Sequence, residues 1–187
     1  MRYSVSKKMS EIASVFFNAG FSAYLVGGAV RDWFLGKPCK DYDIATDAEP
    51  KEVQALFRKT IPTGIAHGTV TILYKDEKIE CTTFRCEADY SDGRRPQSVN
   101  YVRSIEEDLS RRDFTMNAIA VSLKDGSIVD PFEGVKSIKS KTIKTVGSPL
   151  DRFGEDGLRP IRAIRFASQL GFKIEEETLK AIPLSIE

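Results

Sequence analysis

Histidine and cysteine are scarce in this chain: one His, His67, and three cysteines, Cys39, Cys81 and Cys86, among 187 residues. None of them falls into a zinc-ligand spacing, which argues against a structural zinc site. An odd, sparse cysteine set also argues against a disulfide-stapled secreted domain and suits a reducing cytoplasm. Charge of a single sign is missing too. The 28 Lys and Arg against 27 Asp and Glu leave a net charge of +1, so any nucleic-acid surface has to be local. No apolar run is long enough to span a bilayer, and Lys7, Lys8 and Glu11 interrupt the segment where a signal peptide would be apolar. There is no internal repeat and no low-complexity segment. What is present is ordinary globular composition, 41% hydrophobic and 29% charged, sized for one domain or one domain plus part of another.

Against this background residues 25–43, LVGGAVRDWFLGKPCKDYD, stand out. The apolar run 23–26 suits a buried strand. Gly27 and Gly28 follow, then a helical segment, 29–35, which Gly36 and Pro38 stop. The stretch closes on Asp41-Tyr42-Asp43. On an extended strand residues i and i+2 share a face, so Asp41 and Asp43 project together and Tyr42 and Ile44 point the other way. Adjacent carboxylates repel unless a cation lies between them, and hard divalent ions such as Mg²⁺ take oxygen ligands of this kind. The two glycines let backbone N–H groups approach an anion closely where a helix begins. Gly-Gly alone is a common turn and Asp-x-Asp alone is a common loop. It is their order along strand, turn, helix, loop and strand that is specific.

That arrangement resembles the nucleotidyltransferase superfamily, and LVGGAVRDWFLG with DYDIAT resembles its bacterial tRNA nucleotidyltransferase and poly(A) polymerase family. HGTV at 67–70, IECTTFR at 79–85 and RRDFTMNA at 111–118 match the same family. The resemblance covers nearly the whole chain but only the family's catalytic head and the start of its helical neck. It implies an α+β fold, a nucleotidyltransferase-type mixed sheet flanked by helices, with residues 1–145 as the head and 146–187 opening a helical neck. The implied reaction joins C and A from CTP and ATP to the 3′ end of tRNA, with two Mg²⁺ ions on Asp41 and Asp43. Gly27, Gly28, Arg31 and Arg112 would bind the triphosphate, and Asp113 and Asn117 the ribose. Asp156, Arg159, Arg162 and Arg165 would line the nucleotide pocket. A CC-adding enzyme, an A-adding enzyme, a poly(A) polymerase and a non-catalytic RNA- or nucleotide-binding module are the rival readings.

The remaining sequence supplies a scaffold for those residues. Apolar positions 12, 15, 16 and 19 give an amphipathic helix over 7–19. Asp47 reads as an N-cap ahead of Pro50 and a helix to about residue 59. Strands at 67–74 and 78–84 form a hairpin. Alternation on the second strand leaves Glu80 either facing solvent or standing as a third carboxylate. The family resemblance favours the latter. A His before Gly at a strand start reads as structural. The polar stretch 86–100, with Asp89, Tyr90, Arg94, Arg95 and Pro96, reads as a mobile loop. Ser104 and Glu107 have capping-box spacing at the start of a short helix. Asp113 and Asn117 lie on one face of a helical turn, short strands follow at 119–123 and 128–129, and Lys136, Lys139, Lys141 and Lys144 make the densest basic run, a candidate RNA-backbone patch. A last long helical segment is expected over 149–170 and a short one over 175–182. In the first of these, Asp156 and Arg159 would be neighbours on one face. An Asp/Arg pair accepts and donates in the order that cytosine and adenine share and that uracil and guanine reverse. Pro160 threatens that geometry, because it opposes the helix at its own position.

Overall fold

The computed structural model describes residues 3–39, 41–90 and 96–185. Its centre is a seven-stranded sheet in the order β3-β4-β5-β2-β1-β8-β9. The strands are β1 (Ala23–Val26), β2 (Asp43–Thr46), β3 (Thr60–Gly64), β4 (Thr69–Tyr74), β5 (Glu77–Thr83), β8 (Ala120–Ser122) and β9 (Ile128–Val129). Pairings are antiparallel except β2 with β5, which run parallel. A mixed sheet flanked by helices is the α+β arrangement expected from the sequence. β3 was not anticipated: it has a single strong apolar residue, Ile61, and three exposed positions, as an edge strand has.

Alternation along the strands builds two cores. Leu25 and Ile44 face one side, with Met9, Ile12 and Phe16 of α1 (Lys7–Asn18), Val30 of α2 (Gly28–Phe34) and Val53 of α3 (Pro50–Leu56). Val26 and Ala45 face the other, with Phe84 and with Ile105 and Leu109 of α4 (Ile105–Ser110). Asp43, two residues before Ala45, therefore projects toward the layer that carries α4. The cap of α3 is Glu49 rather than Asp47. The Glu49 N–H donates to the Glu52 carboxylate at 2.7 Å, whereas Asp47 Oδ1 accepts from the Ser22 N–H at 2.6 Å. The helix also ends at Leu56, short of residue 59.

Two further expectations change. The stretch read as a loop, 86–100, contains β6 (Arg85–Tyr90) paired antiparallel with β7 (Pro96–Tyr101). Its central residues, Arg94 and Arg95 among them, lie outside the described residues. The long helix over 149–170 is two helices, α6 (Pro149–Glu155) and α7 (Leu158–Leu170). Asp156 is extended at the break, with φ −143° and ψ 107°. Pro160 then falls in the first turn of α7, where a missing N–H costs little, so it marks a late start and not a kink. After it come β11 (Lys173–Ile174) and α8 (Glu176–Leu184). β11 pairs parallel with β10 (Thr142–Ile143).

The RRDFTMNA segment passes from α4 into a 3-10 turn, Thr115–Asn117. α5 (Gly134–Lys139) packs against that turn so closely that a methyl on Gly134 would sit 2.2 Å from the Thr115 carbonyl oxygen and 2.6 Å from Ile119. Backbone has to move to admit it. Gly134→Ala is accordingly expected to cost about 1–3 kcal/mol of stability, measured as a shift of the urea midpoint. An unchanged midpoint would show that the α5 contact yields freely.

Candidate active site

Four pieces of chain meet around Asp43. The turn between β1 and α2 holds Gly27 at φ +69°, a left-handed conformation that glycine adopts without strain. A side chain there would also touch the site at ordinary contact distance. Its methyl would lie 3.4 Å from Arg112 Nη1 and 3.6 Å from Asp43 Oδ2. β2 delivers Asp43, and the bend just before it delivers Asp41. β5 lies alongside in parallel register, with Asp43 opposite Glu80, which is exposed; Glu80 is thus both a neighbour of Asp43 and open to solvent.

Asp43 lines two clefts. One, of about 490 Å³, is bounded by Gly28, Arg31 and Asp32 of α2 and by Lys37, Cys39 and Asp41. The other, of about 160 Å³, is bounded by Glu80, Thr82, Arg85, Arg111 and Arg112. Burial pushes the Asp43 carboxyl up to about 6; Glu80 adds to that rise, Arg112 opposes it and Asp41 contributes further repulsion. A half-buried carboxylate among like charges is a donor that a hard cation would stabilise. Among the described residues no group of three or more His, Cys, Asp or Glu side chains is placed to hold an ion by itself. The Asp41–Asp43 pair, which lines the larger cleft, is the donor set the chain could offer a cation there. That fits magnesium, which commonly takes one or two carboxylates and completes its shell with phosphate and water oxygens.

Arg112 is fixed from behind. Its Nη2 donates to Asp108 Oδ2 at 3.1 Å, and Arg111 Nε and Nη2 donate to Asp108 Oδ1 at 3.1 and 2.9 Å. Asp108 is buried, and both arginines follow it by three and four residues, one helix face. Sequence reasoning passed over Asp108, although that spacing was the available signal. Arg112 Nε is buried with no acceptor among the described residues, so the guanidinium keeps donor capacity for an incoming group.

The remaining expected site residues separate into groups. Asp113 and Asn117 are brought together, Asn117 Nδ2 donating to Asp113 Oδ1 at 3.1 Å. Arg31 Nη1 reaches Asn117 Oδ1 at 3.0 Å, and Arg162 donates twice to Asp113 Oδ2, at 2.8 and 2.6 Å. Arg165 is exposed, with Nε 3.5 Å from Gln169, and borders neither cleft. Asp156 and Arg159 do not share a helix face. Asp156 precedes α7 and its Oδ1 accepts the Leu158 N–H at 2.9 Å. Arg159 is buried, donating to the Arg152 and Arg111 carbonyls at 3.0 and 3.1 Å and to the Glu155 carboxylate. In the basic run, Lys136 pairs with Glu133 and Lys144 with Glu175, so part of its charge is already answered locally. The His67 carbonyl accepts from Arg85, and the residue is exposed and lines neither cleft.

A mixed sheet carrying a glycine turn, an Asp-x-Asp and a neighbouring Glu on parallel strands defines a nucleotidyltransferase-type head. Residues 23–144 match the family described as Poly A polymerase head domain, and the chain belongs to that family. It is similar to the CCA-adding enzymes of Anoxybacillus flavithermus, 56% identical over 163 residues, and of Enterococcus faecalis, 55% identical over 163 residues. Each match covers 87% of this chain but 41% and 40% of the relatives, so the chain spans about two fifths of their length. Among solved structures, the CCA-adding enzyme of Bacillus stearothermophilus in complex with CTP superposes with a TM-score of 0.86 at 47% identity, over 94% of this chain and 42% of that one. A tRNA nucleotidyltransferase complexed with a primer tRNA and an incoming ATP analogue gives 0.75 at 34% identity, over 95% of this chain and 49% of that one. Among the described residues no helix is long and apolar enough to cross a membrane.

Proposed function

We propose that this chain is the nucleotide-transferring head of a template-independent tRNA nucleotidyltransferase that adds C and A, from CTP and ATP, to the tRNA 3′ end. One observation carries the reading: a single half-buried carboxylate, Asp43, borders both clefts. Nucleotidyl transfer displaces pyrophosphate in line, so the entering oxygen and the leaving group lie on opposite sides of the α-phosphorus. A triphosphate against Gly28 and Arg31 in the larger cleft, reaching Arg112 past Asp43, would leave the Glu80 side of the smaller cleft for the RNA 3′-hydroxyl. Asp41 and Asp43 would hold divalent metal, magnesium as two ions in this reading. Bound there, it would supply acidification of the attacking hydroxyl and neutralisation of charge on pyrophosphate. Asp113 and Asn117 would hold ribose hydroxyls, and Asp156 with Arg159, backed by Arg162 and Arg165, would read the base. For Arg159 to do so it has to release one of its present acceptors on Glu155, Arg152 or Arg111. Three free cysteines suit a cytoplasmic setting.

The names of the relatives support CCA addition over poly(A) synthesis. The test is to incubate the protein with Mg²⁺, a tRNA lacking its 3′ CCA and each labelled nucleoside triphosphate in turn. C followed by A is expected, with U and G refused. Long A tails, C alone or A alone would each select a rival specificity. Tight CTP binding without incorporation, alongside an active full-length relative, would leave a nucleotide-binding module.

A further inference from the structure

Arg31 and Arg162 share one aromatic ring. The guanidinium carbon of each lies 5.3 Å from the centroid of Phe166. Arg162 and Phe166 are one turn apart on α7, so the helix presents them together. Arg31 comes from α2, on the far side of the chain from α7 in sequence, and lines the larger cleft with Asp41 and Asp43. The polar partners close a circuit: Arg31 to Asn117, Asn117 to Asp113, Asp113 to Arg162 and both arginines to Phe166. The ring is itself held edge-on by Phe114, buried in the core, at 5.9 Å and 88°. Two cations beside one ring repel each other, and each has a carboxylate to offset that, Asp32 at 2.8 Å from Arg31 and Asp113 at 2.6 Å from Arg162. The ring face ties Arg31 directly to α7.

We propose that Phe166 is a positioning residue for the triphosphate site. It holds the Arg31 guanidinium at the mouth of the phosphate cleft and so makes α7 and the cradle move as one piece. A long arginine side chain loses rotamer freedom when it grips a phosphate. Stacking on a ring that the core already fixes removes part of that freedom beforehand, and the ring's negative face favours the cation. The proposal rests on the reading that Arg31 meets the phosphates of a nucleoside triphosphate. It adds that the contact is governed from the neck side, by a residue that touches no substrate.

The test compares wild type with Phe166→Leu, which keeps apolar volume but has no ring face, and Phe166→Tyr, which keeps the face. Calorimetric titrations use CTP, inorganic tripolyphosphate and cytidine, each with Mg²⁺. Phe166→Leu is expected to weaken tripolyphosphate and CTP by the same factor, about five-fold, and to leave cytidine unchanged. Phe166→Tyr is expected to restore both. In an Arg31→Met background Phe166→Leu should add nothing, since the residue acts through Arg31. Unchanged tripolyphosphate binding in Phe166→Leu overturns the proposal. So does an equal loss for cytidine with no rescue by Tyr, the signature of a merely disturbed fold. Wild-type protein that binds neither CTP nor tripolyphosphate would sink the parent reading first, and a wild type that binds both while Phe166→Leu does so equally well would sink this one alone.

Discussion

Asp43→Asn is expected to lower nucleotide incorporation by on the order of 10³-fold or more and, at the same time, to stabilise the metal-free protein. The two effects have one origin. Asp43 is desolvated and faces Glu80 in paired register with Asp41 nearby, and Arg112 offsets only part of that repulsion. The neutral amide removes the repulsion while keeping the shape, for a gain of about 1 kcal/mol, roughly 3 °C in Tm. It also removes the anionic oxygen on which metal and substrate would converge. Labelled-CTP incorporation and thermal melts, each with and without Mg²⁺, check both halves. Mg²⁺ should raise the Tm of wild type and leave that of the variant nearly still. Full incorporation by Asp43→Asn would remove the metal assignment, and a lower Tm would show that the carboxylate is better compensated than its surroundings indicate.

The second large effect concerns a residue that meets no substrate. Asp108→Asn is expected to destabilise the protein by about 3 kcal/mol at neutral pH, because one buried carboxylate answers two arginines and also accepts the Arg85 N–H at 3.3 Å. Burial pushes the Asp108 carboxyl up, but Arg111 and Arg112 together pull it further down, leaving it below the usual carboxylate value. A group whose folded pKa is depressed stabilises above its unfolded pKa and loses that contribution as pH falls through the folded one. The gap between wild type and variant should therefore be full at pH 7, start to narrow below the unfolded value of about 4, and close only as the pH falls through the lower folded value. Urea unfolding of both proteins at pH 7 and near pH 3 measures it. A gap below about 1 kcal/mol at pH 7, or one that persists unchanged in acid, would contradict the arrangement. CTP affinity should fall with stability, since Arg112 is aimed into the site by the same carboxylate.

Much of the site was readable before any fold was known, because its signals are short-range. The i, i+2 rule placed Asp41 and Asp43 on one side with Tyr42 and Ile44 on the other, and Tyr42 and Ile44 do pack into the same core. Asp113 and Asn117 do meet, but around a 3-10 turn that starts at Thr115 after an extended Phe114, not along one helix face. Where the reading went astray, the local signal was the weaker one. Polar, Gly- and Pro-bearing sequence at 86–100 looked like loop, yet strand pairing between β6 and β7 claims its flanks. Asp47 had the better capping side chain, yet the capping contact fell to Glu49 and Glu52 while Asp47 was drawn to Ser22 across the fold. Asp156 and Arg159 had helical spacing, yet the helix breaks between them.

The sequence by itself determined the chemistry: which residue types are present, their spacing along each strand and turn, and hence an acidic pair beside a glycine turn in a mixed sheet. Only the tertiary structure decided which distant pieces meet. Glu80 stands opposite Asp43 because β2 and β5 pair in parallel register, Arg112 reaches the glycine turn because Asp108 anchors it, and Arg31 is bound to α7 through Phe166. The reason is physical. Side-chain direction along a helix or strand follows from backbone geometry within a few residues, whereas register and packing between elements follow from how whole apolar faces bury one another, which no short window of sequence contains.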